Sequence, residues 1–421
     1  MARKTKRKEN MEMTTEVLVA GGGPSGLTMA LLLAAAGLDV VCVDRAAPEE
    51  QLQEKFDGRT TAISAASKNV LAAAGVWAGL EKHACPILDI RVADGNSPHF
   101  LHFDSGESGA EAFGWIVENR LLRKALFDAV KKSSLRHIAP AEITDFEHTQ
   151  SGIAAALKTG EKIEAALLIA ADGRNSPARA WAGIDTVSWN YGQEAIVCCV
   201  AHEKDHEYVA VEHFMPPGPF AVLPMTDSED GRHRSSVVWT EHGGGAERFT
   251  KMKKQAFDAA LQMRFGPHLG KVSLIGEAMI YPLSLMHAKK YTAPRMALLG
   301  EAAHVIHPIA GQGLNLSMRD IALLAELVVD HRRVGLDIGA PVLLGQYQRL
   351  RKTDNMLMAA MTDGLNRLFS NNIRPVRRLR ALGLGMVNRL PPLKRFFAAQ
   401  AMGFGGGKAE KLPRLLRGGK L

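Results

Sequence analysis

The chain has 421 residues, 46% of them apolar, which is enough for two or three ordinary domains or one large interleaved unit. Its net charge of +8 is unevenly placed: residues 1–8 carry +5 and residues 374–421 carry +11, so the body between them is acidic, which argues against a nucleic-acid-binding protein. There is no run of 18 apolar residues and no signal-peptide h-region, and Cys42, Cys85, Cys198 and Cys199 form no Cys-x-x-Cys, so a reduced, cytosolic setting without a membrane-spanning helix fits best.

Residues 1–13 read as a basic, disordered tail. Val17-Leu18-Val19-Ala20 reads as a buried parallel strand, followed by Gly21-Gly22-Gly23-Pro24-Ser25-Gly26 and an apolar helix over Leu27–Ala36. Gly37 stops the helix, Val40–Val43 is the next strand, and Asp44-Arg45 stands at its end. This is a βαβ dinucleotide fingerprint in its required context. Gly21 permits the tight turn, Gly23 lets the backbone approach a pyrophosphate, Gly26 lets helix and strand pack closely, and Asp44 can accept from a ribose. It does not separate NAD from FAD.

Phe56–Ser64 carries Asp57 and Arg59 in a loop before a helix near 67–74. Strands at 87–93 and 99–103 flank the turn-rich Asp94–Pro98 and form a hairpin. Glu118-Asn119-Arg120 opens a helix with Leu121, Leu122, Ala125, Leu126 and Ala129 on its apolar side, leaving Arg123 and Lys124 to solvent. Leu167–Ala170 is a short buried strand that runs into Asp172-Gly173 and Arg179. From Val187 to Leu285 the pattern changes to strands with charged or Pro/Gly turns, plus a helix around Phe249–Phe265. His202-Glu203-Lys204-Asp205-His206 matches HExxH literally, but a zinc site needs both histidines on one helix face, and these residues read as a turn between strands. No metal site is expected.

Met296–Leu299 is another strand-length apolar run, bounded by Gly300 and Glu301. Pro308, Gly311 and Gly313 form a turn, and apolar positions from Leu314 to Val328 then repeat at helical spacing. The start of that helix offers unpaired N–H groups and a positive dipole end, which suits a ring gathering negative charge. A second helical run covers Gln346–Phe369, and the last fifty residues place Val387, Leu390, Leu393, Phe396, Phe397 and Met402 among Arg389, Lys394 and Arg395. Such a basic amphipathic segment suits an anionic membrane surface or a protein partner.

Gly300–Asn315 resembles the second flavin signature of the FAD-dependent aromatic hydroxylases, the class A flavoprotein monooxygenases, written GDAAHxxxPxxGQGxN. Glu301 replaces the usual Asp. Asp57–Ile63 is similar to their DxRxxAL segment, Glu118–Leu126 to their ENRxLxxAL helix, and Ala171–Arg179 to GADGxxSxVR. Asp320 and Gly218–Pro224, similar to GPxAxLP, point to the ubiquinone-biosynthesis branch, and Ser317 departs from it by standing where that branch usually has Gly.

The resemblance implies an α/β fold: a Rossmann-like FAD-binding domain of the para-hydroxybenzoate hydroxylase type, an inserted antiparallel-sheet substrate domain and a helical C-terminus. The FAD domain is expected from 14–82, 106–186 and 286–370, the substrate domain from 83–105 and 187–285, and a basic amphipathic region from 371–421. FAD contacts are implied for Gly21, Gly23, Ser25, Gly26, Asp44, Arg45, Arg59, Arg120, Asp172, Gly173, Glu301, Pro308, Gly311, Gly313, Leu314 and Asn315. The implied reaction hydroxylates the ring of a polyprenylated phenol with O2 through a C4a-hydroperoxyflavin, with NAD(P)H or a reductase partner as electron source. A quinone-synthesis complex and the inner face of the membrane are candidate partners. The alternatives are an FAD enzyme for another aromatic substrate and a non-catalytic scaffold subunit of a quinone-synthesis assembly. No side chain stands out as an acid or base.

Overall fold

The computed structural model describes residues 12–52, 56–95, 100–215, 217–370, 380, 383, 386–387, 389–405 and 412–421. The short apolar runs meet in one sheet. Its spine runs Thr292–Ala293, Met296–Leu298, Lys162–Ala170, Glu12–Ala20, Val40–Val43, Arg136–Ile138, and Met296–Leu298 through Arg136–Ile138 pair in parallel. Val17, Leu18, Val19, Leu167, Leu168 and Ile169 are fully buried, as expected of parallel strands covered on both faces. Glu12 and Met13 already pair with Lys162 and Ile163, so the strand begins inside the stretch assigned to the basic tail; residues 1–11 lie outside the described residues.

A second eight-stranded sheet is built around two 17-residue strands, Thr186–His202 and Val272–Ala288, paired antiparallel. It departs from a purely antiparallel pattern where Val209–Met215 runs parallel to Asp89–Asp94. The turn expected at 94–98 lies largely outside the described residues. The helix expected over Phe249–Phe265 is two helices, Gly245–Thr250 and Lys254–Phe265, and the break sets both Phe249 and Phe257 against Trp239. Cys85–Ile87 joins neither large sheet. It pairs with Gly114–Glu118, which also pairs with Thr60–Ser64, giving a small third sheet between the other two.

Helix Gln312–Arg333 and the first part of Pro341–Phe369 pack on the core of the parallel sheet, the second part of Pro341–Phe369 packs on the second sheet, and Pro391–Ala401 follows. The basic end of the chain is docked. Leu415 and Leu416 are buried, and Arg414 pairs with Glu326 and Asp330. In the described part of the C-terminal region, Val387, Phe397 and Met402 pack inward on a core cluster. No helix among the described residues is long and apolar enough to cross a membrane.

Candidate active site

The parallel strands end along one edge, and there Gly21, Asp44, Ala171 and Leu299 follow Ala20, Val43, Ala170 and Leu298. This is the position at which open α/β sheets bind ligands. A cavity of about 590 Å³ opens at this edge, between the parallel sheet and the second sheet.

The glycines divide into two classes. Gly21 has φ +107°, and a Cβ there would overlap the Ala171 carbonyl; a Cβ on Gly26 would overlap the Gly21 carbonyl oxygen. These two allow strand and helix to approach closely. At Gly23, Gly173 and Gly313, by contrast, a Cβ would meet nothing within 4 Å, and all three line the cavity. The backbone there faces space that the protein does not fill.

Gly23 is the N-cap of helix Pro24–Ala35 and Gly311 (φ +62°) the N-cap of Gln312–Arg333; neither helix has a side-chain cap. Two helix starts therefore turn unpartnered N–H groups and positive dipole ends to one cavity. Oxygen acceptors stand beside them. Glu301 lines the cavity and is exposed to it. Asp172 accepts from the Ala178 N–H at 3.0 Å through Oδ2, while its buried Oδ1 has no partner among the described residues. Burial pushes this carboxyl above its ordinary range, against the lowering effect of Ser176 and the Ala178 N–H. Anion-binding helix starts, acceptors suited to sugar hydroxyls and the apolar wall of Leu299, Ile306 and Leu314 together fit FAD.

Ser25, Arg59, Pro308, Gly311 and Leu314 also reach the cavity. Other expected residues are placed differently. Asp44 does not line it; its carboxylate accepts from the N–H groups of Gly22 and, at 2.7 Å, Ala46, while Arg45 is exposed. Arg120 turns to Glu118 at 2.6 Å, and Arg123, read as solvent-facing, lines the cavity and pairs with Asp57. The two arginines stand three positions apart, within one helical turn, and charge alone does not mark which of them lines the cavity. Asn315 is buried, and its side chain is a clasp: Oδ1 accepts from the Ser64 N–H at 2.9 Å, and Nδ2 donates to Ala62 O and Gly311 O. The HExxH stretch begins at a strand end, where His202 bonds Ser235 Oγ and Lys204 O and His206 bonds Met225 O.

Three features were not read from the sequence. Behind the Gly300 turn, fully buried Asp320 receives His304 Nε2 at 2.6 Å, Arg351 Nε at 2.7 Å and Asn355 Nδ2 at 3.0 Å. Burial acts to raise the Asp320 carboxyl, but His304 and Arg351 outweigh it and hold it well below the usual range. His307 lines the cavity with no hydrogen-bond partner on either ring nitrogen among the described residues, and burial pushes it down to about 4. A second cavity of about 500 Å³ adjoins the first, and Ala62, Glu212, Leu223 and Ile309 line both. Its wall is largely aliphatic and aromatic, including Ile90, Leu101, Phe103, Phe214, Leu365 and Phe397.

Residues 14–352 match the family model described as FAD binding domain. Across 97% of its length the chain is 45% identical to the ubiquinone hydroxylase UbiL of Rhodospirillum rubrum, covering 94% of that protein. The chain belongs to the family of FAD-dependent ubiquinone hydroxylases. Its cofactor is FAD. The hydroxylase is also 34% identical to the 3-demethoxyubiquinol 3-hydroxylase of Escherichia coli, with 92% of this chain and 98% of that one covered. Among solved structures, p-nitrophenol 4-monooxygenase PnpA from Pseudomonas putida superposes with a TM-score of 0.76 at 17% identity, over 94% of this chain and 100% of that one. That likeness shows the fold, a Rossmann-like flavin hydroxylase fold of the para-hydroxybenzoate hydroxylase type.

Proposed function

We propose that this chain hydroxylates the aromatic ring of a polyprenylated phenol in ubiquinone biosynthesis. The observation that carries the reading is that the cavity fitted to FAD adjoins a more strongly apolar one of comparable size, with four lining residues in common. A substrate with a reactive ring and a hydrocarbon tail needs both. Burial contributes about 0.8 kcal/mol per CH2, so the tail supplies binding energy remote from the ring and fixes its position.

Bound FAD supplies the redox chemistry that activates O2, with electrons that we assign to NAD(P)H. The remaining work falls to the chain. N–H groups of Gly313, Leu314 and Asn315 at the start of their helix stabilise negative charge on the flavin ring. The helix start at Gly23, with Ser25, receives pyrophosphate, and Arg59 offers its guanidinium to the same oxygens. Glu301, which lines the cavity, accepts from ribityl or ribose hydroxyls, while Asp44 and Asp172 hold the Gly22 and Ala178 N–H groups of the neighbouring loops. We assign flavin binding to segments 14–82, 106–186 and 286–370, and the substrate surface to 83–105 and 187–285. The outward-facing Arg389, Leu390 and Arg395 are the residues we assign to an anionic membrane surface that delivers the lipid substrate.

The test is NAD(P)H oxidation by the FAD-loaded protein with and without a prenylated phenol, scored by hydroxylated product and repeated with anionic vesicles. Phenol-dependent product is the expected outcome. Bound flavin with no product even when a reductase is supplied would overturn the reading, and rates indifferent to vesicles would remove lipid from it. Leu365→Trp narrows the apolar cavity from a helix face. It is expected to lower kcat/KM for a long-tailed phenol by about tenfold or more while leaving a tail-less phenol nearly unchanged. Equal losses for both would show that the tail lies elsewhere.

A further inference from the structure

Glu212 occupies an unusual place. It lies in the middle of strand Val209–Met215, with Ala221 and Val92 as its cross-strand neighbours, and it lines both cavities at their junction. Glu212 is half-buried, and no hydrogen bond or ion pair engages its carboxyl among the described residues, whereas the acids that are buried outright are paired. Asp320 has Arg351, Glu118 has Arg120 and Arg234, Glu241 has Arg264, and Asp94 has Arg380. The residue faces the two cavities and not another protein group, so a ligand at their junction meets an unpartnered carboxyl.

Among the described residues, the charged groups around it do not supply a partner. On its own strand, His213 bonds Gly95 O. On the adjoining strand Asp89 pairs with His102, Arg91 is exposed, and Asp94 and Arg380 pair at the far wall of the apolar cavity. On the covering helix Asp363 pairs with Arg367. Across the flavin cavity Arg59 is paired with Asp57, and the remaining titratable groups in that wall are Arg123, Arg174, Tyr281, Glu301, His304 and His307. Burial is the one cause that displaces Glu212, pushing it up to about 7. That is the range in which a carboxylate serves as a general base at neutral pH.

We propose that Glu212 is a catalytic base that takes the proton of the substrate's phenol hydroxyl. The proposal rests on the prenylated-phenol reading above. A ring whose tail fills the apolar cavity sits at the junction, beside Glu212. As the ring is hydroxylated, the phenol O–H bond breaks and its proton passes to a Glu212 oxygen. The electron pair stays on the phenol oxygen and raises electron density at the ortho and para carbons, where the new C–O bond forms with oxygen from O2. The O–O bond breaks and the second oxygen leaves as water: it takes the proton that the ring carbon loses, NAD(P)H and one solvent proton supply the two electrons and the two further protons, and Glu212 returns its own proton to the phenol oxygen.

Glu212 must be ionised to act, so kcat is expected to fall as the pH drops through about 7. In FAD-loaded enzyme, Glu212→Gln is expected to remove this acid limb and lower kcat by about 10²- to 10⁴-fold, and Glu212→Asp to keep the limb at a reduced rate. A binding readout needs no turnover. Wild type is expected to bind 2-geranylphenol about 10- to 100-fold more tightly than its methyl ether, the span of one hydrogen bond to a charged group, and Glu212→Leu to bind the two alike. Flavin content and circular dichroism equal to wild type certify each fold, and Glu212→Gln carries the test if the Leu variant does not fold. An acid limb and kcat unchanged in Glu212→Gln, or an undiminished preference for the phenol in Glu212→Leu, would overturn the proposal. A wild type that binds with this preference but forms no product would instead strike the hydroxylase reading and leave Glu212 as the phenol's acceptor.

Discussion

Arg351→Ala is expected to cost the folded protein about 3–5 kcal/mol, the range for removing one partner of a buried ion pair. Asp320 would keep His304 and Asn355 but lose the cation that compensates its burial. Asp354 would lose a partner as well, although Arg319 still reaches it at 2.7 Å. Urea denaturation of the flavin-loaded protein measures the loss, and a change below about 1 kcal/mol, the scale of an exposed pair, would show that the network contributes little. The double variant Asp320→Asn/Arg351→Met is expected to recover part of it, because no uncompensated charge remains. The pH dependence has a definite sign. The Asp320 carboxyl is held below its ordinary value, so its contribution is complete above the unfolded value of about 4 and fades as pH falls towards the folded one. Arg351→Ala should therefore begin to unfold in acid at a higher pH than wild type.

The second large effect separates two glycines three residues apart. Gly23→Ala is expected to fold as wild type, because a Cβ there meets no protein atom within 4 Å, yet to lose flavin affinity by at least about tenfold (1.4 kcal/mol). The methyl would stand in the space where the backbone meets the pyrophosphate. Gly26→Ala is expected to fail earlier. Its methyl would overlap the Gly21 carbonyl, and helix Pro24–Ala35 must move off the strand at a cost of about 3 kcal/mol or more. Glu301→Ala belongs with Gly23→Ala, a folded protein with weakened flavin retention. Flavin absorbance after gel filtration, read beside circular dichroism, distinguishes the two classes. A Gly23→Ala protein that retains full flavin would sink the pyrophosphate assignment, and an unchanged Glu301→Ala would sink that of the acid.

The contrast between these glycines shows what a sequence can carry. Local geometry was legible: strand, turn, helix and terminal acid lie within thirty residues, and the four short apolar runs form one parallel sheet as their composition implies. The loops that the motifs mark also converge on one cavity. What escaped depends on residues distant in the chain. Arg351 and Asn355 are one helical turn apart on a face that also buries Leu344 and Tyr347, but only the fold brings Asp320 to them. Asn315 belongs to a flavin signature, yet its side chain serves Ser64 and Ala62, about 250 positions earlier. Glu212 left a trace, an acid inside Val209-Ala210-Val211-Glu212-His213-Phe214, but alternation along a strand gives an outward polar residue the same appearance. The C-terminal segment shows the converse limit: an apolar stripe beside basic residues suits lipid or a protein partner, and the stripe does not tell which of its residues, Val387, Phe397 and Met402 among them, pack on the protein's own core.

The Asn315 clasp has a thermodynamic corollary. It ties the start of helix Gln312–Arg333 to a strand that gives Thr60 and Thr61 to one cavity and Ile63 and Ser64 to the other, with Ala62 shared. An occupant of either cavity therefore bears on the same short strand, and both touch Ala62. If cofactor in the first tightens a tail in the second by some factor, the tail must tighten the cofactor by the same factor, because the two orders of loading close one cycle. Holoenzyme would then let go of flavin most readily when its lipid site is vacant.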